Sequence, residues 1–210
     1  MPAIALVIVI LGFGVAAPLH AAKFHCSSGD VTCLIAAINQ ANEKSGQHTI
    51  TLDPGIYTLQ TTDNMIDGAN GLPSMRRAIQ ILPSVDDPPT VIERDPGAQS
   101  FRIFHVARSG RLTVTGITVA RGEGPSGMAI FNLGVTTLQD SVITNSTGGE
   151  RGAIYNSGKL KVLRTIISDN SAGHEGEAFV MMELPTWRIA LLPTIQAQTE
   201  EELRTRDLWL

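Results

Sequence analysis

Short apolar stretches alternate with polar corners through the middle of the chain, and from Gly110 to Asn170 they return at a fixed interval. Ala129-Ile130-Phe131-Asn132-Leu133-Gly134 comes back as Ala153-Ile154-Tyr155-Asn156-Ser157-Gly158. Leu138 and Val162, Val142 and Ile166, and Ile143 and Ile167 are separated by that same interval, and Gly110, Val114 and Val119 stand one interval before Gly134, Leu138 and Ile143. Inside a unit, Leu112-Thr113-Val114 and Ile117-Thr118-Val119 alternate apolar and polar side chains, are rich in β-branched residues and end at Gly or polar corners, which is strand chemistry. A unit of this length with two or three strands has the size of one turn of a parallel β-helix. A four-stranded propeller blade needs roughly 40 residues or more. The pattern therefore predicts an all-β chain, a right-handed parallel β-helix with about 24 residues per rung. Rungs stack about 4.8 Å apart. That spacing places Asn132 beneath Asn156 and predicts a structural amide ladder along the axis.

The same reading extends toward the N-terminus. Asp30 is a good N-cap, and Val31, Leu34, Ile35, Ile38 and Ala41 follow at helical spacing until Ser45-Gly46, which predicts a capping helix over 30–45. A solenoid exposes raw core at its first turn, so a cap is required there. Thr49–Leu52 and Tyr57–Leu59 form the first predicted rung, joined by the Asp53-Pro54-Gly55 turn. Residues 61–77, polar and rich in Gly, Asn and Asp, read as a loop projecting from the shaft. Ile79–Ile81 with Val91-Ile92, then Phe101–Val106 with Leu112–Val114, bring the total to about five rungs and a shaft roughly 25 Å long. The β-helix with its helical cap spans 23–176. Residues 177–210 drop the pattern. They are expected to be either a C-terminal cap with a helix from about Thr199 to Leu208 or a frame-shifted, aberrant tail.

Composition changes this picture in three places. A net charge of −4 and a pI near 5.7 exclude a basic field for nucleic acid and disfavour anionic membranes. Residues 1–22 carry an apolar run from Ile4 to Val15 and small residues before Lys23, which reads as a secretory signal peptide; the run is too short for a stable membrane span. Export places Cys26 and Cys33 in an oxidising compartment that permits a disulfide between them.

Several phrases also resemble a known family. Leu34-Ile35-Ala36-Ala37-Ile38-Asn39-Gln40-Ala41-Asn42 followed by Thr49–Leu59 resembles the opening of bacterial secreted proteins with a Cys-Ser-Leu-Arg-Glu-Ala-type motif. These proteins continue into β-helices of the pectate-lyase-like superfamily. The Ile-Tyr-Asn-x-Gly and Ile-Ser-x-Asn-Ser phrases are similar to the repeats of polymorphic outer-membrane proteins, and the likeness covers about Asp30 to Gly173. Ile35 and Ala36 stand where the family has its Arg-Glu pair. The resemblance implies a bacterial, cell-surface or secreted, adhesin-like module. It also implies an alternative, a polysaccharide-active protein, with a uronate lyase ahead of a hydrolase, and a third possibility is a truncated fragment of a longer surface protein.

A hydrolase needs carboxylates facing one cleft across adjacent rungs. At the 24-residue step Asp140 meets Arg164, Asp169 meets Asn145 and Glu123 meets Thr147, so no carboxylate pair stacks. A uronate lyase needs a base and a Ca²⁺ held by oxygen ligands. No catalytic residue is assigned outright; His105, placed outward by the Phe104-His105-Val106 alternation, and Arg102 are the candidates for such chemistry. Arg94, Arg108 and Arg121, beside Glu93 and Asp95, are the candidate contacts to an acidic polysaccharide or cell-surface glycan, against the plainer reading of a solvated face of loose ion pairs. Asp63, Asn64, Asp67 and Asn70 are the oxygen donors available to Ca²⁺, and no other cofactor is expected. The shaft is expected to be monomeric or to associate end to end.

Overall fold

In the computed structural model, which describes residues 21–172 and 181–182, the chain opens with strand β1 (Lys23–Cys26) and helix α1 (Val31–Glu43). Asp30 caps the helix, its Oδ1 accepting from the Cys33 backbone N–H at 2.9 Å, so one of the orphan donors of the first turn is satisfied. Leu34, Ala37, Ile38 and Ala41 share one helical face and are all buried in one core with Ile50, Leu52 and Ile81. Cys26 and Cys33 form a disulfide that ties the end of β1 to that first turn. Strand β1 has no counterpart in the periodic signal, yet Lys23–Cys26 pairs in parallel with Thr49–Leu52.

Strands β2 (Gln47–Leu52) and β3 (Gly55–Leu59) follow, then β4 (Ala78–Pro83), β5 (Thr90–Arg94), β6 (Phe104–Val106), β7 (Arg111–Thr115), β8 (Ile117–Ala120) and β9 (Glu123–Ser126). The phrase from β6 to β9 recurs as β10 (Ile130–Asn132), β11 (Val135–Gln139), β12 (Val142–Thr144) and β13 (Thr147–Arg151). It recurs again as β14 (Ile154–Asn156), β15 (Lys159–Leu163), β16 (Ile166–Ser168) and β17 (Ser171–Ala172). A complete unit therefore holds four short strands where the alternation signalled two or three. The additional arm, Glu123–Ser126 and its repeats, contains Gly and Pro and no apolar alternation.

The architecture is all-β with one short helix, and its strands assemble into parallel sheets. The sheet orders are β1-β2-β4-β7-β11-β15, β3-β5-β8-β12-β16, β6-β10-β14 continued by β18 (Met181–Met182), and β9-β13-β17. Val135 lies opposite both Arg111 and Lys159, and Thr147 opposite both Glu123 and Ser171, in each case at the interval read from the sequence. Earlier steps are longer. Gln47 faces Ala78 and Ala78 faces Arg111, because the segments 61–77, 84–89 and 95–103 are inserted between strands. The largest sheet has six strands rather than the five levels expected, β1 supplying the sixth.

Side chains of one type line up across the strands. Ile50, Ile81, Val114, Leu138 and Val162 occupy matched positions, and the first four are fully buried. Tyr57, Ile92, Val119, Ile143 and Ile167 form a second apolar column. The corners line up as well. Gly116, Asp140 and Arg164 all have positive φ, as do Arg121, Asn145 and Asp169, and within each set the members stand one repeat apart. Gly and the short polar residues Asn and Asp suit that left-handed conformation, whereas Arg enters it at a cost of about 1–2 kcal/mol. A glycine column at 110, 134 and 158 has another cause: a Cβ on Gly158 would collide with the backbone of Leu133 and Gly134 stacked against it. Asn132 and Asn156 lie beside this column, the Nδ2 of Asn132 donating to the Oδ1 of Asn156 at 2.6 Å.

The 61–77 segment does not project as the sequence suggested. Leu72 and Met75 are fully buried in it, and Asn70 and Met75 bridge to Arg102 and Val106 beside β6. The segment lies back over the sheet. The expected signal peptide falls on residues of which 1–20 lie outside the described part, as do 173–176 at the end of the expected shaft and 177–180 and 183–210 of the expected tail. Within that tail Met181–Met182 nevertheless continues a sheet, pairing in parallel with Tyr155-Asn156, so the strand pattern does not stop at Gly176.

Candidate functional site: a covered histidine and two arginine groups

Strand β6 carries the histidine singled out from the sequence. Phe104, His105 and Val106 are all buried, with His105 only 1% exposed, so the expectation of a solvent-facing imidazole is overturned. Its side chain does lie away from the core, but the 61–77 segment covers that face. Ser74 Oγ is 2.6 Å from His105 Nδ1, and Asp67 Oδ2 is 3.1 Å from Nε2. Burial pushes the His105 pKa below the ordinary imidazole value, while the hydrogen bond and charge of Asp67 oppose it and Arg102 adds to it. The three side chains have the composition of a hydrolytic triad, but a nucleophile must meet its substrate. Ser74 is only 4% exposed, and the geometry is that of a clamp holding the segment in place.

Arg102 is covered by the same segment and is 2% exposed. One Nη donates to the Asp67 carbonyl at 2.8 Å and the guanidinium lies 4.3 Å from the centroid of Phe131. Gly68, with φ of +116°, makes the room: a Cβ there would meet Arg102 Nη2 at 2.5 Å. The Nε and the other Nη of Arg102 are buried with no hydrogen-bond partner. Desolvation pulls its pKa down to about 10, against the pull of Asp67. His105, Phe131 and Tyr155 stack in register on successive strands, with ring centroids 5.7 and 4.5 Å apart. Neither His105 nor Arg102 meets solvent as a lyase base would, because the 61–77 segment, which the strand alternation does not reveal, covers both.

The arginines expected to contact a glycan divide. Arg94 is 6% exposed and its charge is spent inside the protein: it pairs with Glu123 and donates to the carbonyls of Asp95, Ala98 and Arg121. Arg121 pairs with Glu93 at 3.3 Å. Both line a shallow cleft of about 360 Å³ with Pro96, Asn145 and Thr147. Asp140 and Arg164 form a bidentate exposed pair at 2.6 and 2.8 Å, and the bonds to Arg164 lower the Asp140 pKa. Arg108 is different, being exposed and, among the described residues, without an ionic partner.

Arg108 has company in Arg111, which crowds the same stretch of sequence, and in Arg76 and Arg77, which sequence reasoning missed. Arg76 and Arg77 end the 61–77 segment and are exposed, as is Arg111 at the start of β7. The Arg111 N–H donates to the Arg77 carbonyl at 3.0 Å, which brings 76–77 beside 108–111. A cleft of about 490 Å³ opens there, lined by Asn39, Asn42 and Glu43 of α1 together with Arg76, Arg77 and Ser109. The only advance signal was the Arg76-Arg77 dipeptide itself.

Of the oxygen donors proposed for Ca²⁺, Asn64 and Asp67 are otherwise engaged, while Asn70 Oδ1 is buried without a hydrogen-bond partner. Asn64 Oδ1 accepts from the Asn70 amide at 2.8 Å and from the Ile66 N–H, Asn64 Nδ2 bonds Asp63, and the Asp67 carboxylate is turned to His105. Among the described residues no three His, Cys, Asp or Glu side chains converge to hold a metal. No helix there is long and apolar enough to cross a membrane. The chain matches no family model, no curated protein and no solved structure.

Proposed function

We propose that the chain is an exported surface module, wound as a right-handed parallel β-helix of the pectate-lyase-like kind, whose outer faces act by adhesion or scaffolding rather than by turnover. The observation that carries the reading is the constant register kept by several parallel sheets at once in the last three units. Strands that return to each parallel sheet at a constant step, with the core columns matched, are what one continuous coil requires. Crossovers between parallel strands are right-handed in about 98% of cases, which supplies the hand. Stacked turns make a stiff shaft with long repetitive faces, suited to holding an extended ligand. The signal-like character of residues 1–22 supports a location outside the cytoplasm, free or at the bacterial surface.

The test sets binding against cleavage. The purified chain is passed over immobilised acidic polysaccharide and, separately, incubated with polygalacturonate with and without Ca²⁺. Retention without unsaturated uronate product is the expected outcome. Ca²⁺-dependent product formation would make the protein a lyase and overturn the reading.

A further inference from the structure

The Arg76–Arg77 dipeptide is held by three elements at once. Asn42 of α1 accepts from the Arg76 N–H at 2.8 Å and, through its own amide, donates to the Ser74 carbonyl at 2.9 Å. Ser109 Oγ donates to the Arg76 carbonyl at 3.2 Å, and the Arg111 N–H donates to that of Arg77. The neighbouring Met75 is buried and bonded through its N–H to the His105 carbonyl and through its carbonyl to the Ala107 N–H. The backbone is thus fixed on both sides, while the two guanidinium groups it carries are exposed.

Charge makes the fixed backbone informative. Arg76, Arg77, Arg108 and Arg111 have no ionic or hydrogen-bonded side-chain partner among the described residues. Glu43 is the one carboxylate in the cleft wall, against Arg76 and Arg77, so the wall carries an excess of one positive charge, and the exposed Arg108 and Arg111 flank it. That island sits on a chain whose net charge is −4. Arginines with nothing to gain internally, on a prearranged backbone, describe a site for an anion rather than a fold contact.

The geometry points to sulfate or phosphate ester groups, carried on a polymer, as the occupant. A carboxylate has two oxygens in one plane, and a single guanidinium fork engages both of them. A sulfate or phosphate ester offers three terminal oxygens, and can accept from several forks together. Glu43 in the wall adds to this preference, because an anion that recruits only one arginine gains little beside it. The inference deepens the surface-binding reading above and rests on it for the polymeric form of the ligand, but not for the site itself.

The experiment measures binding of the full chain to three polymers matched in length: dextran sulfate, dextran phosphate carrying phosphate monoesters, and polygalacturonate. The sulfate and phosphate arms distinguish the two sources of the same chemistry, and the expected result is that at least one binds about tenfold more tightly than polygalacturonate at low salt. Arg76→Ala/Arg77→Ala and Arg108→Ala/Arg111→Ala are each expected to weaken that binding about tenfold and to lower its salt dependence by roughly one to two ions. Arg121→Ala, which removes a paired arginine, is expected to change it less than twofold. Charge-preserving Arg76→Lys/Arg77→Lys is expected to recover salt-dependent binding but not the preference for ester groups. Equal binding of all three polymers overturns the ester-group assignment and leaves the surface-binding reading standing. Undiminished binding by both double Ala variants, with circular dichroism unchanged, overturns the site.

Discussion

Two groups of arginines lie on neighbouring parts of this molecule and are used in opposite ways. Arg94, Arg102 and Arg121 are already engaged: Arg94 and Arg102 are buried, and Arg94 and the exposed Arg121 are paired with Glu123 and Glu93. Arg76, Arg77, Arg108 and Arg111 are exposed with no partner among the described residues, yet the backbone beneath Arg76 and Arg77 is bonded on both sides. The difference teaches that residue type and sequence clustering do not locate a binding surface. What locates it is charge that the fold holds in place and leaves unsatisfied.

The largest expected effect separates two members of the first group. Arg94→Met removes three bonds to carbonyls and leaves Glu123 without its cation, and is expected to cost about 3 kcal/mol in urea denaturation. Arg102→Met removes a guanidinium with two buried N–H groups already unpaired, so its net cost is expected to stay below about 1 kcal/mol. Equal costs for the two would show that internal hydrogen bonding does not distinguish them.

Asn42→Ala sharpens the contrast from the other side. It removes no charge, but it frees the Arg76 N–H and the Ser74 carbonyl, and is expected to cost about 1 kcal/mol of stability. It is also expected to weaken dextran sulfate binding in a titration at constant salt. Unchanged binding would mean that charge alone, without a fixed backbone, suffices.

His105 adds a dependence on pH beneath the covering segment. Its pKa is depressed in the folded state by burial, so as pH falls through the ordinary histidine value of about 6.5 the unfolded chain takes up a proton that the folded chain refuses. The His105 contribution is therefore complete above that value and is lost as pH falls toward the lower folded pKa. Urea midpoints measured across this range are expected to decline, and His105→Asn to flatten the decline. The smallest effect belongs to Arg77→Ala, expected to change stability by less than about 0.5 kcal/mol.

The regular half of the fold was legible because physics repeats there with the sequence. Val114, Leu138 and Val162 recur at one interval because each must fill the same place in the core, and Asn132 and Asn156 recur because each bonds its counterpart. The covering segment was not legible. It is polar through most of its first half and is anchored by Leu72 and Met75, two apolar residues with no period of their own. His105 shows the consequence: the alternation correctly turned it from the core, but could not reveal that Asp67 and Ser74, far earlier in the chain, close over it. Arg108 was legible as a candidate, but its meeting with Arg76 and Arg77 was hidden for a related reason, since 76–77 and 108–111 meet only through hydrogen bonds across an irregular step of the chain.

The central contrast is tested most directly by the arginine Nε–Hε resonances of the ¹⁵N-labelled protein during a dextran sulfate titration. Progressive shifts at Arg76, Arg77, Arg108 and Arg111, with Arg94, Arg102 and Arg121 unmoved, are the expected result. Shifts at Arg94 and Arg121 with Arg76 and Arg77 silent would contradict the account, and would place the binding surface on the arginines that already have carboxylate partners.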